Sequence, residues 1–93
     1  MIASFGDKDT AQLAQGTSVK RFKAFERIAR RKLRQLEIAG ALSDLRIPPG
    51  NRLEELRGDR SGQFSIRIND QWRLCFEWTG DAARNVEIVG YHR

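Results

Sequence analysis

The 93-residue chain contains one histidine, one cysteine and two prolines, and these low counts exclude several kinds of protein. A single cysteine, Cys75, forms no internal disulfide, so folding does not require an oxidising compartment. One histidine and one cysteine are too few for a zinc site with the usual ligand spacing. No apolar run approaches the ~20 residues of a membrane helix, and the first residues lack the features of a signal peptide. We therefore expect a cytoplasmic protein without metal or membrane contact.

Positive charge is abundant and is concentrated in one stretch. The chain has 17 Lys and Arg against 12 Asp and Glu, a net charge of +5. Residues 20–34 contain eight basic residues and a single acidic one, Glu26, so this stretch alone carries a net charge of +7. Such concentration favours a polyanion or an acidic protein as partner. A solvated helix face is the alternative explanation.

The N-terminal half has mostly helical periodicity. Residues 2–5 alternate as a short strand, and residues 7–15 predict a short helix that ends at Gly16. Thr17 and Ser18 are candidate N-caps of a longer helix. Its apolar residues recur at steps of three and four, which makes one stripe of the helix apolar; they are Phe22, Phe25, Ala29, Leu33 and Leu36.

The long helix is expected to end near Gly40, with one further helical turn over residues 41–46. The two prolines within residues 47–50 exclude regular helix there. From this point the sequence has period two. Strands are predicted at residues 52–56, 63–68, 71–78 and 86–91, separated by turns rich in Gly, Asp and Asn.

One face of the predicted sheet is apolar, and the other is expected to be open to solvent or ligand. The polar face carries Ser65, Arg67, Arg73, Glu77 and Glu87. Helices followed by an antiparallel meander predict an α+β fold, in which the N-terminal helices pack on one face of a small sheet. The length predicts a single domain over residues 1–93.

The residues whose side chains are suited to phosphate binding or catalysis are the arginines, Tyr91 and His92. A guanidinium binds phosphate in two-point geometry, and Arg73 lies on a strand whose opposite side is aromatic and aliphatic. The alternative is a surface ion pair of Arg73 with Glu77 or Glu87. No glycine-rich phosphate loop precedes a helix, so we expect no cofactor.

His92 is competent as a general acid or base, and the ring of Tyr91 can stack on an unpaired base. A histidine so close to a chain end is also frequently incidental. With a phosphate-binding arginine, these groups are sufficient to cleave RNA without metal, the neighbouring 2′-OH being the nucleophile.

The run over residues 51–76 resembles the centre of HigB-type toxins of the RelE/ParE superfamily. It reads Asn-Arg-Leu-Glu-Glu-Leu-Arg-Gly-Asp-Arg-Ser-Gly-Gln-Phe-Ser-Ile-Arg-Ile-Asn-Asp-Gln-Trp-Arg-Leu-Cys-Phe. The Leu-Arg-Gly-Asp-Arg, Ser-Ile and Trp-Arg motifs, the C-terminal Tyr-His and the opening Met-Ile-Ala-Ser-Phe extend the resemblance to essentially the whole chain.

The resemblance implies a RelE-like fold and a toxin of a type II toxin–antitoxin system. It implies an mRNA endonuclease that acts in the ribosomal A site without metal and inhibits translation. The implied partner, besides ribosome and mRNA, is a helix-turn-helix antitoxin of the HigA type, through which alone operator DNA would be contacted.

By position, the resemblance assigns phosphate binding to Arg57 and Arg73, base stacking or orientation to Tyr91, and proton transfer to His92. It also places the cationic helix against ribosomal RNA. The expected RNA-binding residues are Lys20, Lys23, Arg27, Arg30, Arg31, Arg34, Arg60 and Arg67.

Two positions depart from the family pattern. Glu54 stands where some members carry a histidine, and Gly90 stands where some carry an acid before Tyr-His. Glu54 is a candidate catalytic base, although it could equally pair with Arg52 or Arg57. We expect a functional but slower nuclease.

Two other functions remain open from the sequence. ParE-like members of the same superfamily inhibit DNA gyrase by protein contact and need no nuclease residues. A non-catalytic ribosome- or RNA-binding factor would need only the basic helix. Tyr91, His92 and Arg73 favour the nuclease.

Overall fold

The structure is a computed structural model that describes residues 1–91, and in it helices precede a four-stranded antiparallel sheet. Helix α1 spans Lys8–Ala14 and α2 spans Glu26–Ile38, with 3-10 segments at Lys20–Phe25, Leu42–Arg46, Pro49–Asn51 and Gly58–Arg60. The strands, in the spatial order β1-β2-β3-β4, are β1 Glu54–Glu55, β2 Gln63–Arg67, β3 Trp72–Thr79 and β4 Ala82–Gly90. The predicted α+β fold is confirmed.

Helix α1 begins and ends as the sequence predicts. Asp7 is its N-cap, and its carboxylate accepts a hydrogen bond from the backbone N–H of Thr10 at 3.3 Å, which satisfies one of the free donors of the first turn. Gly16 follows the helix with φ +99°, a conformation that favours glycine. None of the helices within residues 1–91 has the length and apolar composition of a membrane-spanning segment.

The predicted start of the long helix is wrong. Neither Thr17 nor Ser18 caps it, because α2 begins only at Glu26, after the 3-10 segment Lys20–Phe25, and has no side-chain cap. Ser18 Oγ donates instead to the carboxylate of Glu26 at 2.6 Å. The 3-10 turn places the ring of Phe25 against that of Trp72, with 4.9 Å between the ring centroids.

The apolar stripe of the helix is confirmed. All five predicted residues, Phe22, Phe25, Ala29, Leu33 and Leu36, are buried. They pack against the inner face of the sheet, whose buried residues include Ile66, Leu74, Phe76, Val86 and Ile88.

Three strand predictions differ from the structure. The last strand, predicted at residues 86–91, begins four residues earlier, at Ala82. Residues 2–5 form no strand: they meet β4 in two isolated parallel bridges, of Ile2 with Ala83 and of Phe5 with Val86, and Ser4 Oγ accepts a hydrogen bond from the backbone N–H of Asn85 at 2.9 Å. The strand predicted at residues 52–56 is reduced to two residues, because Arg52 adopts the left-handed conformation, with φ +46°. A strand cannot continue through that conformation.

The outer face of the sheet is less open than the sequence predicts. Ser65 and Cys75 lie on it, and both are completely buried. The side chain of Arg60 crosses this face to Gln63 and Glu87. The hydroxyl of Tyr91 lies 3.7 Å from Cys75 Sγ. Burial raises the pKa of the Cys75 thiol, so the cysteine is an inert part of the packing.

Asn51 ties helix α2 to the segment that precedes the sheet. Its side-chain amide donates to Gln35 Oε1 and to the carbonyl of Leu45, both at 3.1 Å, and its oxygen accepts from Lys32 Nζ at 2.6 Å. Asn51 is completely buried, so each of these bonds replaces one to water that the fold has removed. The next residue, Arg52, is thereby held at a defined distance from α2.

We predict that Asn51→Ala lowers the free energy of unfolding by about 2–4 kcal/mol, because it leaves Lys32 and a buried carbonyl without their partner. Urea unfolding followed by circular dichroism measures the change. Gln35→Ala is the matched control, since it removes a single member of the cluster and should cost about 1 kcal/mol. Equal losses for the two variants would contradict the central role of Asn51.

Candidate active site

The outer face of the sheet gathers several of the predicted site residues. Strand pairing aligns Glu54 with Ser65 and Ser65 with Cys75. The pair Arg67 and Arg73 lies next to this row. Directly opposed residues in an antiparallel ladder project to the same face, so these side chains share the surface opposite the helices.

Arg73 is held by two acceptors from different segments. Its Nε donates to Ser65 Oγ at 2.7 Å, and its Nη2 donates to the carbonyl of Arg52 at 2.6 Å. The side chain is only 13% exposed, and Glu54 Oε1 lies 3.9 Å from Nη2. The guanidinium therefore has a defined orientation before any ligand binds.

The predicted alternative pairing of Arg73 with Glu77 or Glu87 is not what the structure shows. Glu87 accepts a hydrogen bond from Arg60 at 2.7 Å, and Glu77 accepts one from the side-chain amide of Asn85 at 3.0 Å. Glu54, the predicted candidate base, is the carboxylate beside Arg73.

Arg73 lines an open groove of about 810 Å³. The other residues that line it are Gly50, Arg52, Glu54, Arg67, Asn69, Asp70 and Tyr91. Arg67 is ion-paired with Asp70 at the groove's edge, and this pairing lowers the pKa of the Asp70 carboxyl. The groove thus combines a partly buried arginine, a carboxylate and an aromatic ring.

Tyr91 separates this groove from a second one. The second groove, of about 380 Å³, is lined by Leu56, Arg57, Asp59, Arg60, Val89, Gly90 and Tyr91. The backbone N–H of Tyr91 donates to the carbonyl of Gln71 at 2.6 Å, which holds the ring at the end of β4. Burial and the contact with Cys75 raise the pKa of the Tyr91 phenol, so it stays neutral and serves as a ring or a donor.

The two predicted phosphate-binding arginines lie in different grooves. Arg57 is exposed and lines the second groove, whereas Arg73 lines the first, with Tyr91 between them. Arg60 also lines the second groove, but its charge is opposed by Glu87. That hydrogen bond raises the pKa of Arg60. His92, the predicted proton carrier, lies outside the described residues.

The predicted RNA-binding residues of the helical region do not form one surface. Arg27, Arg31 and Arg34 recur at steps of four and three, and all are exposed on α2, as are Lys20 and Lys23 on the preceding 3-10 segment. Arg30 instead lines a groove between α1 and α2. Because α2 packs on the inner face of the sheet, its exposed face points away from the Arg73 groove.

Lys32 connects the basic helix to the edge of the sheet. Burial lowers the pKa of Lys32, and the charges of Arg31 and Arg67 lower it further. Lys32 is thus a residue of α2 whose charge lies near that of Arg67, which lines the Arg73 groove.

Sequence reasoning missed the groups that position Arg73. Alternation places Ser65 on the polar face, but its bond to Arg73 follows from the register of β2 against β3. The second acceptor is a backbone carbonyl, that of Arg52, and no side-chain type signals such a role.

Solved structures show which class of fold this is. The chain is similar to YafQ from E. coli, in the crystal structure of a single-substitution mutant, with a TM-score of 0.64 and 17% identity over 97% of this chain and 93% of that one. A second YafQ structure gives a TM-score of 0.61 at 18% identity, with the same coverage. The protein thus has the fold of YafQ.

Sequence comparison shows the family. The family model described as RelE-like toxin of type II toxin-antitoxin system HigB matches residues 4–92. Toxin HigB-1 of Vibrio cholerae is 44% identical over 90 residues, which is 95% of each chain. An uncharacterized Haemophilus influenzae protein is 33% identical over 62 residues, covering 67% of this chain and 61% of its own. The chain belongs to the HigB-like toxins, a membership that implies an antitoxin partner.

We predict that Ser65→Ala releases Arg73 from its fixed orientation and lowers the free energy of unfolding by about 1–3 kcal/mol, because a buried donor loses its acceptor. The Nε–Hε signal of Arg73 in NMR spectra should exchange with water faster than in the wild type. Ser61→Ala, at an exposed serine, is the control. Unchanged exchange of the Arg73 signal would show that Ser65 does not hold the guanidinium.

Proposed function

We propose that this toxin is a ribosome-dependent endonuclease that cleaves mRNA in the A site without metal and thereby inhibits translation. The observation that carries the proposal is the guanidinium of Arg73, held by Ser65 and the Arg52 carbonyl at an open groove. A donor that is oriented in advance stabilises the charge that develops on a phosphate in the transition state without reorganising.

In the proposed reaction, the 2′-oxygen of a ribose forms a bond to the adjacent phosphorus while the bond from phosphorus to the 5′-oxygen breaks. The products are a 2′,3′-cyclic phosphate and a free 5′-hydroxyl. A base takes the proton of the 2′-OH, and an acid gives a proton to the departing 5′-oxygen. Arg73 binds the non-bridging oxygens, where negative charge accumulates.

Glu54 is the proposed base. Its carboxylate lies beside Arg73 and is 58% exposed, so a ribose in the groove reaches both groups. His92 is the proposed acid, since a histidine gives up and takes protons near neutral pH. Gly90 supplies no carboxylate, so proton transfer depends on these two residues, and we expect a slower nuclease for that reason.

The ribosome supplies a fixed path for the mRNA, which the open groove alone does not provide. Free single-stranded mRNA has no enclosing wall here, whereas the A site presents one codon in a fixed path. Arg27, Arg31 and Arg34 on α2, with Lys20 and Lys23, are the proposed contacts to ribosomal phosphates. Arg60 and Arg67 would join them only by exchanging their ion pairs with Glu87 and Asp70.

The remaining partners follow from the same proposal. The antitoxin is a helix-turn-helix protein of the HigA type, and operator DNA is contacted through it alone. The toxin then acts in the cytoplasm, where it meets translating ribosomes.

Glu54 and Glu55 provide a matched pair of variants, because the two residues are adjacent in β1 and project to opposite faces. On purified translating ribosomes, Glu54→Gln should slow mRNA cleavage by about 10²–10⁴-fold, with ribosome affinity unchanged. Glu55→Gln should cleave like the wild type. Cleavage at the wild-type rate by both variants would contradict the assignment of Glu54 as the base. Absence of mRNA cleavage by the wild-type protein would contradict the proposed nuclease activity itself.

Tyr91 is expected to act through its ring. Because the pKa of its phenol is raised, the hydroxyl keeps its proton throughout the working range, and Tyr91→Phe should leave the pH–rate profile unchanged below about pH 9. Tyr91→Ala should reduce cleavage by about 10–100-fold through loss of stacking. A limb of the profile that disappears in Tyr91→Phe would show that the phenol itself transfers a proton.

A further inference from the structure

Two arginines oppose each other across strands β2 and β3 on the outer face of the sheet. Arg67 and Arg73 are paired directly in the antiparallel register, and both line the Arg73 groove. Like charges directly opposite each other destabilise a sheet, so this pair needs anions nearby. Within residues 1–91, the carboxylate of Glu54 lies beside Arg73 and that of Asp70 is ion-paired with Arg67.

Asp70 holds its place at the solvent edge of the groove only weakly. Its side chain is 93% exposed, whereas that of Arg67 is 34% exposed. The hydrogen bond from Arg67 lowers the pKa of the Asp70 carboxyl, and the charges of Arg67 and Arg52 lower it further. Because an exposed ion pair contributes little to stability, another anion can displace Asp70 from Arg67.

Arg52 adds a third positive charge to the same groove. Its backbone carbonyl accepts the hydrogen bond from Arg73, while its own side chain is exposed and lines the groove. The charge of Arg52 also acts on the carboxylate of Asp70, so Arg52 and Arg67 stabilise one anion between them. An anion from outside the chain would meet the same two guanidinium groups.

We propose that Arg67 and Arg52 form a second phosphate-binding position in the Arg73 groove, and that Asp70 occupies this position until an RNA strand displaces it. The strand places one phosphate at Arg73 and a neighbouring phosphate at the second position. A nucleic-acid strand fits better than an acidic peptide, because it carries a charge at every repeat and its bases can stack on the ring of Tyr91. That the strand is RNA rests on the proposed function.

Asp70 is thereby an internal competitor of the RNA phosphate. Its displacement weakens binding by the same factor for free RNA and for mRNA on the ribosome. On the ribosome, the exposed basic residues of α2 add contacts that offset this loss, whereas free RNA meets only the open groove. Asp70 therefore favours action on ribosome-bound mRNA over action on free RNA.

Titration of the purified toxin with a tetranucleotide of 2′-deoxyribose, followed by the Nε–Hε NMR signal of Arg73, tests the proposal. The probe has three phosphates and no 2′-OH, so it binds without being cleaved. Asp70→Asn should bind it about 3–10-fold more tightly than the wild type. Asp81→Asn, at an exposed aspartate between β3 and β4, makes the same change of net charge and should stay within about 1.5-fold. Equal affinities of the two variants would overturn the proposal.

Arg52→Asn tests the other member of the second position. Asparagine tolerates the left-handed conformation, so the carbonyl that holds Arg73 should stay in place, which the Arg73 signal of the free variant checks. The variant should bind the tetranucleotide about 3–10-fold more weakly and reduce the slope of log affinity against log salt by about 0.7. Arg84→Asn, at an exposed arginine away from the grooves, should change neither quantity. An unchanged slope in Arg52→Asn would contradict its contact with phosphate.

The length of the probe distinguishes one phosphate-binding position from two. A dinucleotide has a single phosphate, which occupies Arg73 alone, so Asp70→Asn should gain less affinity for it than for the tetranucleotide. Equal gains would show that Asp70 repels nucleic acid in general and would overturn the second position. None of these titrations requires cleavage. If the wild-type toxin leaves mRNA intact on ribosomes, the proposed function fails by itself, whatever the titrations show.

Discussion

The orientation of Arg73 depends on two acceptors that the chain brings together from separate segments, the Ser65 hydroxyl on β2 and the carbonyl of Arg52 before β1. Removing a guanidinium from water is costly unless its donors are satisfied, and these two bonds offset that cost. A long side chain held in this way also loses little rotamer freedom when it binds a ligand. The guanidinium proposed to bind phosphate is thereby held in a fixed orientation at the groove.

Asn51 links the Arg52 carbonyl, and through it the orientation of Arg73, to the helical layer. This buried side chain bonds to Lys32 and Gln35 of α2 and immediately precedes Arg52, so the carbonyl that holds Arg73 is positioned by the helix on the other face. The two layers are therefore coupled through a short polar cluster. The helix that is proposed to meet the ribosome also helps to hold the site in shape.

Much of the fold could be predicted from the sequence, because it follows from periodicity. The apolar stripe of α2 and the alternation of β2 and β3 are properties of single elements, and they placed Arg67 and Arg73 on one face. The burial of Ser65 and the separation of Arg57 from Arg73 depend on how Tyr91 and the loop around Arg60 pack over the sheet. Such long-range packing leaves no local pattern. The role of the Arg52 carbonyl follows from a left-handed backbone conformation at a non-glycine residue, which residue type does not indicate.

The most direct test of the account is to map the 5′ ends of mRNA in bacteria after a short pulse of toxin expression. If the toxin is the proposed nuclease, new ends appear at fixed codon positions within translated frames. They are absent for Arg73→Ala and His92→Gln and retained for Arg84→Ala, an exposed arginine away from the grooves. If wild-type toxin arrests growth with no new mRNA ends and with DNA breaks instead, the nuclease assignment is wrong and gyrase is the target.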